Sequence, residues 1–440
     1  MNQSPPTKLA PSIADPSRLD GHVVILTNYI PPHALPVYVE LAERVKKLTM
    51  LLSTPMEPNR KWQADWSTLE VKLQRTLTLE RPWRHPFGFR ESMSVHVPWD
   101  TCGQLRSLRP DVVLSAQFGL RSLLAACYSS LARKPLVLWV NVTEHQEQGR
   151  GRIRHLLRRW LIRRSTAIAV NSRSGMRYLR TLGADPARVF YVPYSAVPRL
   201  HGGAALARPA ELSHRLLYVG QLVERKGLQP FLEVLVRWAG EHPARTVEFD
   251  LAGSGPLEHE LRALPLPANL RLNFLGERNF DQLADCYARA GILAFPTLSD
   301  EWGLVVNEAL ATGLPVLGST YSEAVDELCV EGETGWRFRT DVADEMYQAV
   351  DRAFNASHDK LEQMRRAGCE RVKSLTPAFA AQRFMETIRF ALGETPYAAS
   401  QALRDAESDP STWQNPSETT GHEAGGTNVK PEIATSGRNL

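Results

Sequence analysis

GILAFPTLSDEWGLVVNEALATGLPVLGS, residues 291–319, holds a strand, a loop, a helix and a second strand. GILAFP (291–296) is an apolar run of strand length. LVVNEALA carries a helical pattern, and LPVLGS resumes a strand behind Gly313 and Pro315. Parallel neighbours need a long crossover, usually a helix, so this stretch argues for one unit of a parallel sheet. The helix should start near Gly303. The backbone N–H groups of Gly303, Leu304 and Val305 then lack intrahelical partners and form an anion site at the helix start, for which a phosphate is the natural guest.

Two carboxylates flank that start, eight positions apart. Asp300 lies just outside the helix, where an acid caps it or accepts hydrogen bonds from hydroxyls. Glu308 lies between one and two turns inside. An acid buried beside LVV and ALA needs donors to offset its desolvation, and sugar or ribose hydroxyls are such donors. The competing reading makes Asp300 a plain N-cap and Glu308 an exposed helix residue.

The same alternation extends in both directions. HVVILTNYI (22–30), LTMLLS (48–53), DVVLSAQ (111–117), PLVLWVNV (135–142) and TAIAVNS (166–172) read as strands buried on both faces. Helical patterns such as HALPVYVELAERVKK (33–47) and RIRHLLRRWLIRR (152–164) lie between several of them. A second series begins at Arg215 with RLLYVG, TVEFDLAG, LRLNFLG, GILAFP and LPVLGS. The fold class expected is α/β, with two doubly wound Rossmann-like domains facing a central cleft. Residues 21–195 form the first domain and 215–376 the second, joined by a Pro-, Gly- and Ala-rich linker over 196–214. A helix over 377–393 follows. A Pro- and Ser-rich leader (1–20) and a polar tail (394–440) are expected to be disordered. Residues 62–97, with mixed patterning and many aromatics, predict no definite element.

At 440 residues, 43% hydrophobic and 23% charged, the chain is long enough for two or three cores and is globular in composition. A formal charge of +4 does not by itself imply nucleic acid. Five scattered cysteines without a CxxC pair suit reduced thiols, hence a cytoplasmic chain, better than disulfides or a zinc site. No apolar run reaches membrane-spanning length.

Two further patches bear on ligands. In LYVGQLVERKGLQPF (217–231) a strand ending at Gly220 leads through Gln221 into a loop carrying Arg225 and Lys226, cations placed to neutralise a diphosphate. Solvated loop charges are the alternative. DLAGSGPLEHEL (250–261) invites a dinucleotide fingerprint, but Glu258 stands where its third glycine belongs. Gly253 and Gly255 instead suit a tight strand-to-helix turn close to a ligand.

In this order the patches resemble the family-four, group 1 retaining glycosyltransferases of GT-B fold. VGQLVERKG is similar to the family's basic phosphate loop, LAGSGP to its AGxGP turn, 300–308 to its E-x7-E motif and ELCVEGETGWRF (327–338) to its closing signature. The resemblance implies a nucleotide-sugar donor as substrate, with no separate cofactor and no metal. Lys226 and Arg225 would face the diphosphate and Asp300 the transferred sugar. Gly220, Gln221, Gly303, Leu304, Val305 and Glu308 would bind the donor, with Glu308 on the ribose hydroxyls. Three departures stand out: Asp300 replaces the usual glutamate, Gln221 replaces a frequent arginine, and NYIPPHALP replaces the Gly-rich loop after the first strand.

His145, after a strand of the first domain, either faces the cleft or is a surface loop histidine. The run 150–164 interleaves arginines with Ile153, Leu156, Leu157, Trp160 and Leu161. Such a helix either touches an anionic membrane, as suits a lipid-linked acceptor, or is a solvated helix packed by its Leu/Trp face. No basic-aromatic platform for nucleic acid accompanies it. The expected activity is transfer of a UDP- or GDP-hexose sugar to a glycan or lipid-linked acceptor. The alternatives are an epimerase or hydrolase of the same fold, or a non-catalytic nucleotide-sugar scaffold.

Overall fold

The computed structural model describes residues 18–57, 66, 68–147, 151–195 and 208–394. The leader, most of the linker and the tail expected from sequence lie outside these residues. In the first lobe the strands are β1 (Leu19–Thr27), β2 (Val45–Leu52), β3 (Glu70–Leu73), β4 (Thr76–Arg84), β5 (Arg90–Pro98), β6 (Val112–Ala116), β7 (Leu136–Val140), β8 (Ala167–Val170) and β9 (Val189–Tyr191). The second lobe holds β10 (Leu216–Val219), β11 (Val247–Ala252), β12 (Leu270–Gly276), β13 (Ile292–Phe295), β14 (Val316–Ser319) and β15 (Gly335–Phe338).

The first sheet runs β3-β2-β1-β6-β7-β8-β9 and the second β12-β11-β10-β13-β14-β15, every pair parallel. Apolar runs without alternation follow from burial on both faces. Val23 and Ile25 of β1 join one hydrophobic cluster, while Val24 and Leu26 join another on the opposite face. Leu216 and Tyr218 of β10 divide from Leu217 and Val219 in the same way. Strand order reverses between β1 and β6 and again between β10 and β13. Beyond the carboxyl ends of strands at such a reversal lies the usual ligand crevice of a doubly wound sheet.

Several expectations are corrected. The helix expected through Lys47 spans only Leu35–Glu43, and β2 starts at Val45, which is fully buried and aligned with Leu19 of β1. After β2, residues 70–98 form β3 and an antiparallel hairpin, β4–β5, that pairs Leu77 with Val97 and Leu79 with Val95. Leu77, Leu79 and Val95 are exposed, so the hairpin lacks the buried face that makes strand periodicity legible. The helix expected over 377–393 spans Pro377–Leu392 and is capped by Thr376. Its Ala380, Ala381, Phe384 and Ile388 join the first-lobe cluster of Val23 and Ile25.

Candidate active site

The helix expected near Gly303 spans Leu304–Ala311 and has Gly303 at its N-cap position, with no side-chain cap. Gly303 holds φ 104°, a conformation that favours glycine, and a Cβ there would lie 2.6 Å from Phe295 and 2.8 Å from Ser322 Oγ. Among the described residues no acceptor takes the N–H groups of Gly303, Leu304 or Val305, and the backbone bonding of this turn begins with Val306 N donating to Gly303 O. We expect Gly303→Ala to lower stability by about 3 kcal/mol, from backbone strain and overpacking together. A denaturant midpoint equal to the parent's would contradict that.

Asp300 is not the helix N-cap. Its Oδ2 pairs with Lys226 Nζ and lies 3.6 Å from Arg225, while its Oδ1 accepts from Trp302 N. Arg225 also donates to the Ser299 carbonyl at 2.8 Å, and Lys226 lies over the Phe295 ring. Burial alone would raise the Asp300 pKa, but Lys226 and Arg225 outweigh it and hold the carboxyl below its ordinary value. The basic loop (220–227) follows β10 and the acid loop (297–303) follows β13, so the cluster sits where the second sheet reverses. These charges are largely buried, Lys226 and Asp300 being 13% and 16% exposed, which removes the solvated-loop alternative.

Glu308 is half-buried, not an exposed helix residue, and accepts from Tyr287 Oη at 2.7 Å. Burial raises its pKa and the Tyr287 bond only partly offsets this. The two acids of one motif thus shift in opposite directions, Asp300 toward ionisation and Glu308 toward neutrality. Tyr287 escaped the sequence reading because nothing in DQLADCYARAG marks it out from a core tyrosine.

Tyr287 belongs to the helix Phe280–Arg289, whose preceding turn, at Gln282 and Leu283, lines an open cavity of about 860 Å³. Gly220, Gln221, Gly253 to Pro256 and Glu277 to Asn279 also line it. The glycines of LAGSGP line this cavity and also meet a second requirement. A Cβ on Gly253 would lie 1.8 Å from Gly220 O, and one on Gly255 2.3 Å from Leu222 O. They let the two loops pack backbone to backbone, with Gly220 N donating to Ala252 O and Leu222 N to Ser254 O.

His145 crosses to the second lobe. Its Nε2 meets Leu298 O at 2.9 Å, and its ring stacks on Tyr321 at 4.3 Å. It is therefore not a surface loop histidine. Arg173 N donating to Glu327 Oε1 (2.5 Å) and Asn307 Nδ2 to Tyr194 O (3.4 Å) also join the lobes. The helix Arg152–Arg164 packs inward through Leu161, Ile162 and Arg158, the last paired with Glu147 and Tyr178 Oη. Its Ile153, Leu156 and Leu157 face out at 77%, 66% and 45% exposure, so its apolar residues are not all spent on packing.

Residues 22–195 match the glycosyl transferase 4-like domain and residues 213–356 the glycosyl transferases group 1 domain. Glycogen synthase of Mycobacterium tuberculosis is 27% identical over 53% of this chain and 57% of its own length. D-inositol 3-phosphate glycosyltransferase of Corynebacterium efficiens is 29% identical over 41% of this chain and 46% of that protein. The chain thus spans about half the length of these curated relatives. Anabaena HepE, solved with UDP and glucose, superposes with a TM-score of 0.61 at 14% identity, covering 84% of this chain and 99% of that one. Sucrose-phosphate synthase from Thermosynechococcus elongatus gives 0.61 at 17% identity, over 85% and 100%. The chain belongs to the group 1 glycosyltransferases and has the GT-B fold.

Proposed function

We propose that the chain is a retaining hexosyltransferase that moves a sugar from a UDP- or GDP-hexose to a glycan or lipid-linked acceptor. The observation that carries this reading is the convergence of Lys226, Arg225 and the Gly303–Val305 amides where the second sheet reverses. Fixed cations and helix-start amides stabilise the charge that develops on a departing diphosphate. In the transfer, the acceptor oxygen bonds to the anomeric carbon as the bond from that carbon to the phosphate oxygen breaks. The acceptor's proton passes to the departing phosphate on the same face, which retains configuration. Asp300 holds Lys226 and Arg225 in position, and Glu308 grips ribose hydroxyls. The wide cavity beside Gly220 and Gln221 has room for a nucleotide, and the UDP bound by the structurally similar HepE supports that use.

With three protein-borne sources of positive potential at the diphosphate, the reading requires no metal. Turnover should therefore be unchanged in excess EDTA; loss restored by Mg²⁺ or Mn²⁺ would contradict this. The primary test incubates the chain with labelled UDP-, GDP- and ADP-sugars and membrane extract. Label in an acceptor is the expected result. Donor consumed without acceptor labelling would favour the epimerase or hydrolase, and binding without turnover the scaffold.

A lipid-linked acceptor places the enzyme at a cytosolic membrane face. No helix among the described residues is long and apolar enough to cross a membrane. Support for surface contact comes from the outward Ile153, Leu156 and Leu157 beside exposed Arg152, Arg159 and Arg163, on a helix without an acidic residue. We expect the chain to float with anionic but not neutral vesicles, and Leu156→Ser/Leu157→Ser to reduce flotation roughly tenfold. Equal flotation of parent and variant would remove this contact.

A further inference from the structure

The β4–β5 hairpin ends in an aromatic tip that reaches the second lobe. Arg90 N donates to Glu224 Oε2, in the basic loop, at 3.3 Å. His85 stacks on Phe89 at 4.5 Å and on Phe87 at 5.4 Å, and Trp83 meets both His85 and Phe89 edge-on. Phe87 then continues to Tyr321 of the second lobe at 5.0 Å and to His145 at 4.9 Å. His145 is thus enclosed by Phe87 from the hairpin and Tyr321 from the second lobe, with its Nε2 edge on the Leu298 carbonyl.

A carbonyl only accepts, so Nε2 carries the proton and donates to Leu298 O. Nδ1 is left as the ring's acceptor. Leu298 directly precedes the Ser299–Asp300 segment, whose carbonyl and carboxylate hold Arg225 and Lys226. We propose that the hairpin tip, through Phe87 with Tyr321 opposite, is a positioning clamp that holds His145 neutral and in the Nε2–H tautomer, with Nδ1 left as the acceptor of the ring. Phe87 and Tyr321 act through His145 and are positioning residues. The proposal rests on the transferase reading and deepens it by giving His145, at the junction of the lobes, a fixed protonation state.

The charges around His145 agree with this assignment. Burial lowers its pKa, and the Leu298 bond and Asp341 only partly oppose the effect. The titratable groups facing it are His85 on the hairpin, and Tyr321 and Asp341 on the second lobe, the latter two bonded to each other at 2.6 Å. On the loop of Leu298, Asp300 is neutralised by Lys226 and Arg225, and on its own loop Glu144 is paired with Arg177. Removing Phe87 admits water to the ring. The charged form is then better solvated, the pKa rises toward the ordinary value of about 6.5, and protonation begins at higher pH.

The test labels histidine with ¹⁵N in the full chain and follows His145, assigned by its loss in His145→Gln, through a pH titration. The parent should show the Nε2–H tautomer and a midpoint below the ordinary value. Phe87→Ala should raise the midpoint by about half a unit or more, Tyr321→Ala should move it the same way, and Phe87→Leu, which keeps an apolar cover, should restore most of the parent value. The acid limb of kcat/KM for donor turnover should move with the midpoint. An Nδ1–H tautomer in the parent, or a midpoint unmoved in both alanine variants, would overturn the clamp. A shifted His145 midpoint in a chain that turns over no nucleotide sugar would uphold the clamp and refute the transferase reading.

Discussion

Lys226→Ala is expected to lower the turnover number by about 10²–10³-fold, the loss typical of removing one preorganised group that faces developing negative charge. The same substitution takes a partner from Asp300. Arg225 remains 3.6 Å away, and both charges of the broken pair retain some solvent contact, so the stability loss should be about 1–3 kcal/mol, less than for a fully enclosed pair. The two effects separate in a double variant. Asp300→Asn removes the carboxylate that lost its partner, so Lys226→Ala/Asp300→Asn should regain stability relative to Lys226→Ala while turnover stays low. Turnover returning together with stability would mean that Lys226 acts only on the fold.

Glu308→Ala is expected to weaken donor binding by about 10- to 100-fold, the range for losing hydrogen bonds to a charged group. Turnover at saturating donor should change little, because ribose contacts are equal in ground and transition states. Glu308 also gives donor affinity a pH dependence of definite sign. Burial raises its pKa, so affinity should fall as pH drops through a value above the ordinary carboxylate range. Tyr287→Phe removes the donor that, among the described residues, bonds the Glu308 carboxylate, and should raise that value further. Calorimetric titration with the preferred nucleotide sugar across pH measures both effects; an affinity flat with pH in the parent would remove Glu308 from the ribose.

The alternating runs before and after residue 200 were enough to read two parallel sheets, because a strand buried on both faces is written as an uninterrupted apolar run. β3 (EVKL) and β15 (GWRF) are interrupted by charged residues and β9 is only three residues long, so none of them is written as an uninterrupted apolar run. The β4–β5 hairpin was illegible for a different reason: its outer side chains, Leu77, Leu79 and Val95, meet solvent. Within the site, residues 300–308 and 219–227 are local motifs and were visible as such. Their partners were not. Tyr287, Phe87 and Tyr321 reach Glu308 and His145 from elements distant in sequence, and a contact made by folding leaves no local pattern. The close backbone approach of Gly253 and Gly255 to the loop after β10 escaped the sequence for the same reason.

The central claim is that a nucleoside diphosphate rests its phosphates on Lys226, Arg225 and the Gly303–Val305 amides, and its ribose on Glu308. Its most direct measurement is calorimetric titration of UDP, GDP and ADP into the parent, Lys226→Ala and Glu308→Ala, all at one salt concentration. We expect one base to be preferred in the parent and both variants to bind that diphosphate at least roughly tenfold more weakly. Binding of a diphosphate with parent affinity in both variants would contradict the account.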